Sequence, residues 1–319
     1  MTLRLTILTL DAHLTTAFER ARARLVREVP GLELSLHLAT TWGDAVAAEA
    51  ARTDVARADI IVATHLFIED QIKAILPTIE ARRDQAKAVV CLMSVGEVMR
   101  HTTMGGFRMR SDPAKGTPSA WSPAGILKRL RGDRKPGQST GEAQMRQLRR
   151  IPQLLRFVPG TAQDVRAYYL TMQYWLAGSE ENIANLVRML VSRYGGMKKQ
   201  VEVAAPVEYP ETGLYHPDLP APHFTTELPG LPQRGTKGRV GLVLMRSYLL
   251  GGNTAHYDAV IRALESRGLD VVPAFAAGLD ARPAMERFFR SPSGDPTIDA
   301  LVSLTGFSLV GGPAFNDAE

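Results

Sequence analysis

The first hundred or so residues alternate between two hydrophobic periods, and that alternation limits the fold more than any other feature of the chain. Apolar runs of strand length lie at 3–10 (LRLTILTL), 32–39 (LELSLHLA), 58–66 (ADIIVATHL) and 87–94 (KAVVCLMS). Between them, Leu14 to Val29, Trp42 to Arg57 and Glu69 to Arg83 repeat apolar side chains at helical spacing. Strands separated by helices of this length are joined as parallel neighbours, and a parallel sheet is buried on both faces. The pattern predicts an α/β protein that opens with a doubly wound parallel-sheet domain.

The pattern stops at Gly96. Residues 96–141 are rich in Gly, Pro and Ser, which predicts loops that are either functional lids or mobile segments. Two dense basic stretches follow closely, ILKRLRGDRK (126–135) and MRQLRRIPQLLR (145–156), in a chain whose formal charge is +5. They fit a solvated face, or a footprint for an anionic small molecule, an acidic partner or a membrane surface. No nucleic-acid-binding signature accompanies the charge, so nucleic acid is not expected. The first domain is expected to run over 1–158.

The remainder, 159–319, divides into three parts. Residues 161–196 read as a helical hairpin. Thr161 to Asp164 has the form of a capping box after Pro159-Gly160, and Val165, Tyr169, Met172 and Leu176 fall on one helical face. Ser179 is placed to cap a second helix, with Glu180 and Glu181 in its first turn and Ile183, Leu186, Leu190 and Tyr194 as its apolar stripe. Such a face either packs a core or borders a flat aromatic ligand, and core packing explains it without a ligand. Residues 200–237 hold seven prolines and read as an extended connector. A Rossmann-like unit then opens at 238: strand 239–247, glycine-bearing loop 248–256, helix 257–268, strand 269–276, helix 281–290 and strand 299–306. It forms only a half sheet, which predicts a truncated chain or one piece of a longer protein.

Several chemistries are excluded on the residues. GDRKPGQS (132–139) and GLPQRGTK (230–237) approach a P-loop, but neither has Lys followed by Ser or Thr after the second Gly. No HExxH or GxSxG pattern occurs. His216 and His223 share the connector, as a conceivable metal pair or as solvated loop histidines. The single cysteine, Cys91, falls in an apparent buried strand and is expected to behave as a small hydrophobe. One cysteine, no leader pattern and no apolar run of the roughly 18–20 residues a span needs give a cytoplasmic reading without a transmembrane segment.

The loop after strand 239–247 is the leading candidate site, because open α/β sheets take ligands at the carboxyl ends of their strands. Arg246, Ser247, Asn253, Thr254 and His256 are placed there as substrate-binding candidates, beside Gly251 and Gly252. Arg246 could pair a carboxylate or phosphate, or an internal acid. The glycine fingerprint of a dinucleotide site is absent, so no bound cofactor is expected.

Four long passages resemble one family. AQDVRAYYLTMQYWLAGSEENIANLVRML (162–190), MSVGEVMRHTTMGGF (93–107), ETGLYHPDLP (211–220) and VGLVLMRSYLLGGNTAHYDAVIRALESRGLDVVPAF (240–275) resemble the amino-terminal part of the large (H) subunit of magnesium chelatase. The last passage also resembles the cobaltochelatase large subunits. The resemblance implies a porphyrin-binding subunit that takes protoporphyrin IX and Mg²⁺ as substrates for (bacterio)chlorophyll synthesis, with ATP hydrolysed by two AAA+ partner subunits. The missing P-loop agrees with that division of labour. The family's metal-handling residues belong mostly to later regions and have no counterparts to name here, so catalytic and metal positions stay open, and this part alone is expected to be inactive. A non-catalytic tetrapyrrole-binding or partner-docking module, or cobalt insertion, is the alternative.

Overall fold

The computed structural model describes residues 2–109, 150–196 and 201–310. The chain divides into two compact units, Met1–Val207 and Glu208–Glu319.

In the first unit the expected strands and helices form within a few residues of their expected bounds. The order is β1 (Leu3–Thr9), α1 (Thr15–Glu28), β2 (Leu32–Leu38), α2 (Ala45–Arg57), β3 (Ile60–Thr64), α3 (Glu69–Arg83) and β4 (Ala88–Leu92). A short helix, α4 (Gly96–Met99), and a two-stranded turn, β5 (Thr103–Met104) and β6 (Phe107–Arg108), occupy the start of the expected loop region. Residues 110–141 of that region, and most of the basic stretch 126–156, lie outside the described residues. The sheet runs β2-β1-β3-β4-β5-β6. Strands β1 to β4 are parallel, and β5 and β6 are antiparallel additions at one edge.

Successive side chains of a strand point to opposite faces, so each face has its own core. Leu5, Ile7, Ile60, Val62, Val90 and Leu92 pack on one side with α1. Leu8, Ile61, Ala63, Val89 and Cys91 pack on the other with α2 and α3. All five residues of β3, and all five of β4, are buried, which only a doubly covered parallel sheet requires. Each such aliphatic side chain contributes about 1.5–3 kcal/mol by leaving water.

The hairpin is α5 (Thr161–Leu176) and α6 (Glu180–Tyr194). Its aromatic face is core: Tyr168, Tyr169, Tyr174 and Trp175 join Ile183, Leu186 and Leu190 in the cluster on the α1 side of the sheet. The sequence groups the hairpin with the region after it. The packing groups it with the first sheet, because the sheet face not covered by α2 and α3 needs more apolar cover than α1 alone supplies. Ion pairs lie along the α1–α6 seam, where Arg188 holds Glu28 at 2.8 Å and Arg24 holds Glu181 at 2.8 Å.

Ser179 caps α6 as expected, its Oγ accepting from the Asn182 amide. The expected capping box on α5 does not form. The helix starts from Gly160 at φ 75° with no side-chain cap. Asp164 turns inward instead, accepting from the Gly106 amide (2.9 Å), Arg193 Nε (3.0 Å) and Nη2 (2.7 Å), and the Tyr194 hydroxyl (2.9 Å). A charged guanidinium is a stronger donor than one helix-end amide, so the carboxylate serves the tertiary contact.

The second unit corrects the expectation of a bare connector. Its order is β7 (Thr212–Tyr215), β8 (Phe224–Thr225), β9 (Arg239–Met245), α7 (Arg246–Gly251), α8 (Ala255–Glu265), β10 (Asp270–Ala276), α9 (Arg282–Phe288) and β11 (Ala300–Ser303). The sheet runs β11-β9-β10-β7-β8, with β9, β10 and β11 parallel and β7 antiparallel to β10. Thus the proline-rich stretch supplies two strands, and the half sheet of three is part of a mixed sheet of five. Gly213 permits the β7–β10 pairing: a Cβ there would lie 2.6 Å from Cζ of Phe275 and 3.1 Å from the Thr225 carbonyl oxygen.

Candidate functional site

The carboxyl ends of parallel strands are where an open α/β sheet leaves backbone and side chains free to meet a ligand. In the second unit that place follows β9. The sequence predicts a loop there, but residues 246–251 form the short helix α7, closed by Gly252 in the left-handed conformation at φ 70°.

The five expected site residues are distributed along this turn. Arg246 points back along the unit: its Nε donates to the Pro210 carbonyl (2.8 Å) and its Nη2 to the Tyr209 carbonyl (3.0 Å). Two of its partners are therefore backbone carbonyls of the segment before β7. Ser247, Asn253 and Thr254 are half-buried, and His256 is exposed. Thr254 Oγ1 donates to Asp258 (3.2 Å), whose other oxygen accepts from the Tyr215 hydroxyl at 2.6 Å. The His256 ring lies 3.9 Å from the Tyr257 ring and 5.3 Å from that of Tyr248, centroid to centroid. The turn therefore gathers an aromatic group of Tyr248, His256 and Tyr257, with the Thr254–Asp258–Tyr215 hydrogen bonds beside it.

A second constellation forms in the first unit, and the sequence reading did not single it out. Strand order 2-1-3-4 sends the chain from β1 toward one edge and from β3 toward the other. The crevice lies where those paths part, over the carboxyl ends of β1 and β3. Asp11 comes two residues after β1, and His65 comes immediately after β3. His65 Nδ1 lies 2.9 Å from Asp11 Oδ2, and the same oxygen accepts from Trp175 Nε1 at 2.9 Å. Burial acts to raise the Asp11 carboxyl, but the hydrogen bond and charge of His65, with His13 and the Trp175 N–H, outweigh it and hold the group below the usual carboxylate range. Burial pushes the neighbouring His13 imidazole down, against the pull of Asp11.

The strand ends here are strained. His65 has φ 55° and Met93, immediately after β4, has φ 42°; His65 N donates to the Met93 carbonyl. Non-glycine residues adopt this region when the surroundings over-determine it, and such residues concentrate at ligand sites. Ser94 fixes the same loops, accepting from Leu66 N and donating to the Leu92 carbonyl. Beyond His65, Phe67 and Ile68 are 53% and 51% exposed. The only signal in the sequence was position, an Asp and a His just past two strands. Which strand ends are neighbours depends on strand order, which a single sequence does not specify.

The other candidates carry no chemistry of their own. His216 is fully buried rather than solvated, with Nε2 3.0 Å from Glu265 Oε1; His223 Nδ1 meets the Leu219 carbonyl. Among the described residues no group of three or more His, Cys, Asp or Glu side chains is arranged to hold a metal ion. Cys91 is buried and its thiol is pushed up to about 12, so it is not a nucleophile. No helix among the described residues is long and apolar enough to cross a membrane.

Two open α/β sheets with aromatic and ionisable groups gathered past their parallel strands place the protein in the α/β class whose ligands sit at strand ends. Comparison with known proteins gives the family. The model of the family described as "Domain of unknown function (DUF3479)" matches residues 4–169, and that described as "CobN/Magnesium Chelatase" matches residues 172–319. The chain belongs to the DUF3479 family and is a close relative of the magnesium-chelatase H subunits. It is 49% identical to the magnesium-chelatase H subunit of Cereibacter sphaeroides and 46% identical to that of Rhodobacter capsulatus, each over 98% of this chain and 26% of the relative. The chloroplastic magnesium-chelatase subunit ChlH of Oryza sativa subsp. japonica is 31% identical over 91% of this chain and 22% of its own. The chain thus spans about a quarter of the length of these relatives. Among solved structures, the catalytic subunit of cobaltochelatase from Mycobacterium tuberculosis aligns over 94% of this chain and 18% of its own, at 16% identity and a TM-score of 0.43. The two family matches meet inside α5, whereas the compact units meet at 207/208.

Proposed function

We propose that this chain is part of the porphyrin-binding large subunit of a magnesium chelatase. The reaction removes both pyrrole N–H protons from protoporphyrin IX and places Mg²⁺ among the four nitrogens, releasing two protons. Two AAA+ partner subunits hydrolyse the ATP that drives it, in the cytoplasm, on the way to (bacterio)chlorophyll. The observation that carries this reading is identity of 49% and 46% to proteins named as magnesium-chelatase H subunits, across nearly the whole chain. In the same reading the first unit is a doubly wound domain and the second a Rossmann-like one.

The substrate-binding residues proposed in the second unit are Ser247, Asn253, Thr254 and His256, with Arg246 as a positioning residue. The aromatic group around His256 suits a flat apolar ring, and the hydroxyl and amide groups suit its polar edge. Arg246 holds the chain before β7 through two carbonyls, which fixes the floor of the turn.

The test is reconstitution. The large subunit containing this chain is mixed with its two AAA+ partners, ATP, Mg²⁺ and deuteroporphyrin, and metallation is followed by porphyrin fluorescence. Magnesium deuteroporphyrin is expected only when all three subunits and ATP are present. Failure to metallate with Mg²⁺ while Co²⁺ is inserted into a cobalamin precursor would replace this reading with cobalt insertion.

A further inference from the structure

We propose that the crevice over β1 and β3 is a metal-recognising site, in which His65 Nε2 is the axial ligand to the metal of a metallated tetrapyrrole. This inference rests on the porphyrin reading above and adds a second site to it.

The argument begins with the tautomer. The Asp11 carboxylate is an acceptor only, so the 2.9 Å contact with His65 Nδ1 requires the proton on Nδ1. In the neutral ring Nε2 is then the lone-pair donor, and among the described residues nothing hydrogen-bonds to it; Thr64 Oγ1 lies on the Nδ1 side at 3.0 Å. An imidazole whose far N–H is held by a carboxylate is the usual arrangement of a metal-bound histidine, because the carboxylate fixes the ring and raises its basicity. The carboxylate is itself fixed by the Trp175 indole N–H at 2.9 Å.

His65 is also pre-organised. Its left-handed backbone is pinned to the Met93 carbonyl, so the ring's direction is set by the fold and not by the ligand.

The number of ligands available decides the metal's form. No three acidic, His or Cys side chains converge among the described residues, so a bare cation finds too few ligands here. A cation already held by four ring nitrogens needs one more. Phe67, whose ring lies 5.9 Å from that of His65, and Ile68 present exposed apolar surface at the same strand end. A flat macrocycle has use for such surface, whereas a hydrated ion does not. The site therefore selects the metallated product over the free base, which has no metal to coordinate.

The experiment is a titration of the 319-residue chain with zinc deuteroporphyrin and, separately, free-base deuteroporphyrin, each read by absorbance and tryptophan quenching. Zinc is used because it takes a single axial imidazole. Binding of the zinc macrocycle with a red-shifted Soret band is expected. The shift should be lost in His65→Gly, which accepts φ 55° without strain, and restored by added imidazole filling the space. Asp11→Asn should weaken zinc-macrocycle binding about 10–100-fold, as loss of a carboxylate behind a metal-bound histidine does, and leave free-base binding unchanged. Zinc-macrocycle binding without a red shift, or with a shift that survives in His65→Gly, overturns the proposal while leaving the porphyrin reading intact. No binding of either macrocycle overturns the proposal and the binding residues proposed in the second unit, while the chelatase reading is decided by the reconstitution.

Discussion

The turn between the two hairpin helices gives a prediction whose sign depends on a single neighbour. A Cβ placed on Gly178 would lie 2.3 Å from Leu14 Cδ2 and 3.0 Å from the Trp175 carbonyl oxygen. Leu14 is 2% exposed, so its side chain has no solvent to swing into. Gly178→Ala therefore overpacks the seam and should destabilise by about 1–3 kcal/mol, although Ala in a turn without positive φ would otherwise stabilise by about 0.4–1 kcal/mol through the unfolded chain. Leu14→Ala alone opens a cavity and should cost about 2–5 kcal/mol. In that background the added methyl enters vacated space, and Gly178→Ala should turn neutral or stabilising. The double-mutant coupling is then about 1–3 kcal/mol in favour of the pair. Urea unfolding followed by tryptophan fluorescence measures all four variants. Additive effects within about 0.5 kcal/mol would refute the contact, and with it the docking of the hairpin on the Asp11–His13 strand end.

Three other perturbations have expected outcomes. Asp164→Ala leaves the Arg193 guanidinium without its carboxylate and the Gly106 amide without an acceptor, so it should cost about 2–4 kcal/mol, discounted from a fully buried pair because Arg193 keeps some solvent. Calorimetry on the variant checks it; Asp164→Asn should recover part of the loss. Arg246→Ala should destabilise by about 1.5–3 kcal/mol in urea unfolding before any ligand is added; unchanged stability with weakened macrocycle binding would instead make Arg246 a direct anion contact. Acid sensitivity should come in two stretches. His13 and Asp11 both have folded pKa values below their unfolded ones, so each contributes stability that is complete above its unfolded value and lost as pH falls through its folded value. His13→Gln should flatten the loss that begins below about pH 6.5, and Asp11→Asn the loss that begins below about pH 4, both read by thermal melts across pH.

The parts of the fold that were legible are those whose burial is periodic. Strands β1 to β4 and helices α1 to α3 were readable because a doubly covered parallel sheet demands apolar runs, and its helices demand one apolar face. Strands β7 and β8 were hidden because prolines at 210, 217, 220 and 222 break any period, yet the residues between them pair at a sheet edge. The capping box at Thr161 was misread because a local rule ignores Arg193, which is distant in sequence and takes the Asp164 carboxylate. Of the hairpin's two stripes, Val165, Tyr169, Ile183, Leu186 and Leu190 are buried and Met172 and Tyr194 half-buried, but Leu176 is 37% exposed, and the partner sheet was not deducible from either stripe. The candidate loop after β9 was located by a general rule about strand ends. The same rule applied to β1 and β3 would have brought forward Asp11 and His65, but only with the strand order in hand. Trp175 joins them from a sequence distance of 164 residues.

The measurement that tests the account most directly is a titration of this chain with zinc deuteroporphyrin, following tryptophan quenching and porphyrin absorbance together. Trp175 is 3% exposed and bonded to Asp11, so it reports on the strand-end crevice without itself being a contact surface. Saturable micromolar quenching is predicted, with most of the quenching lost in Trp175→Phe while binding by absorbance persists. Quenching that is linear in porphyrin, with no saturable change in absorbance, would contradict the claim that this chain holds the macrocycle, and the two sheets would then be scaffold.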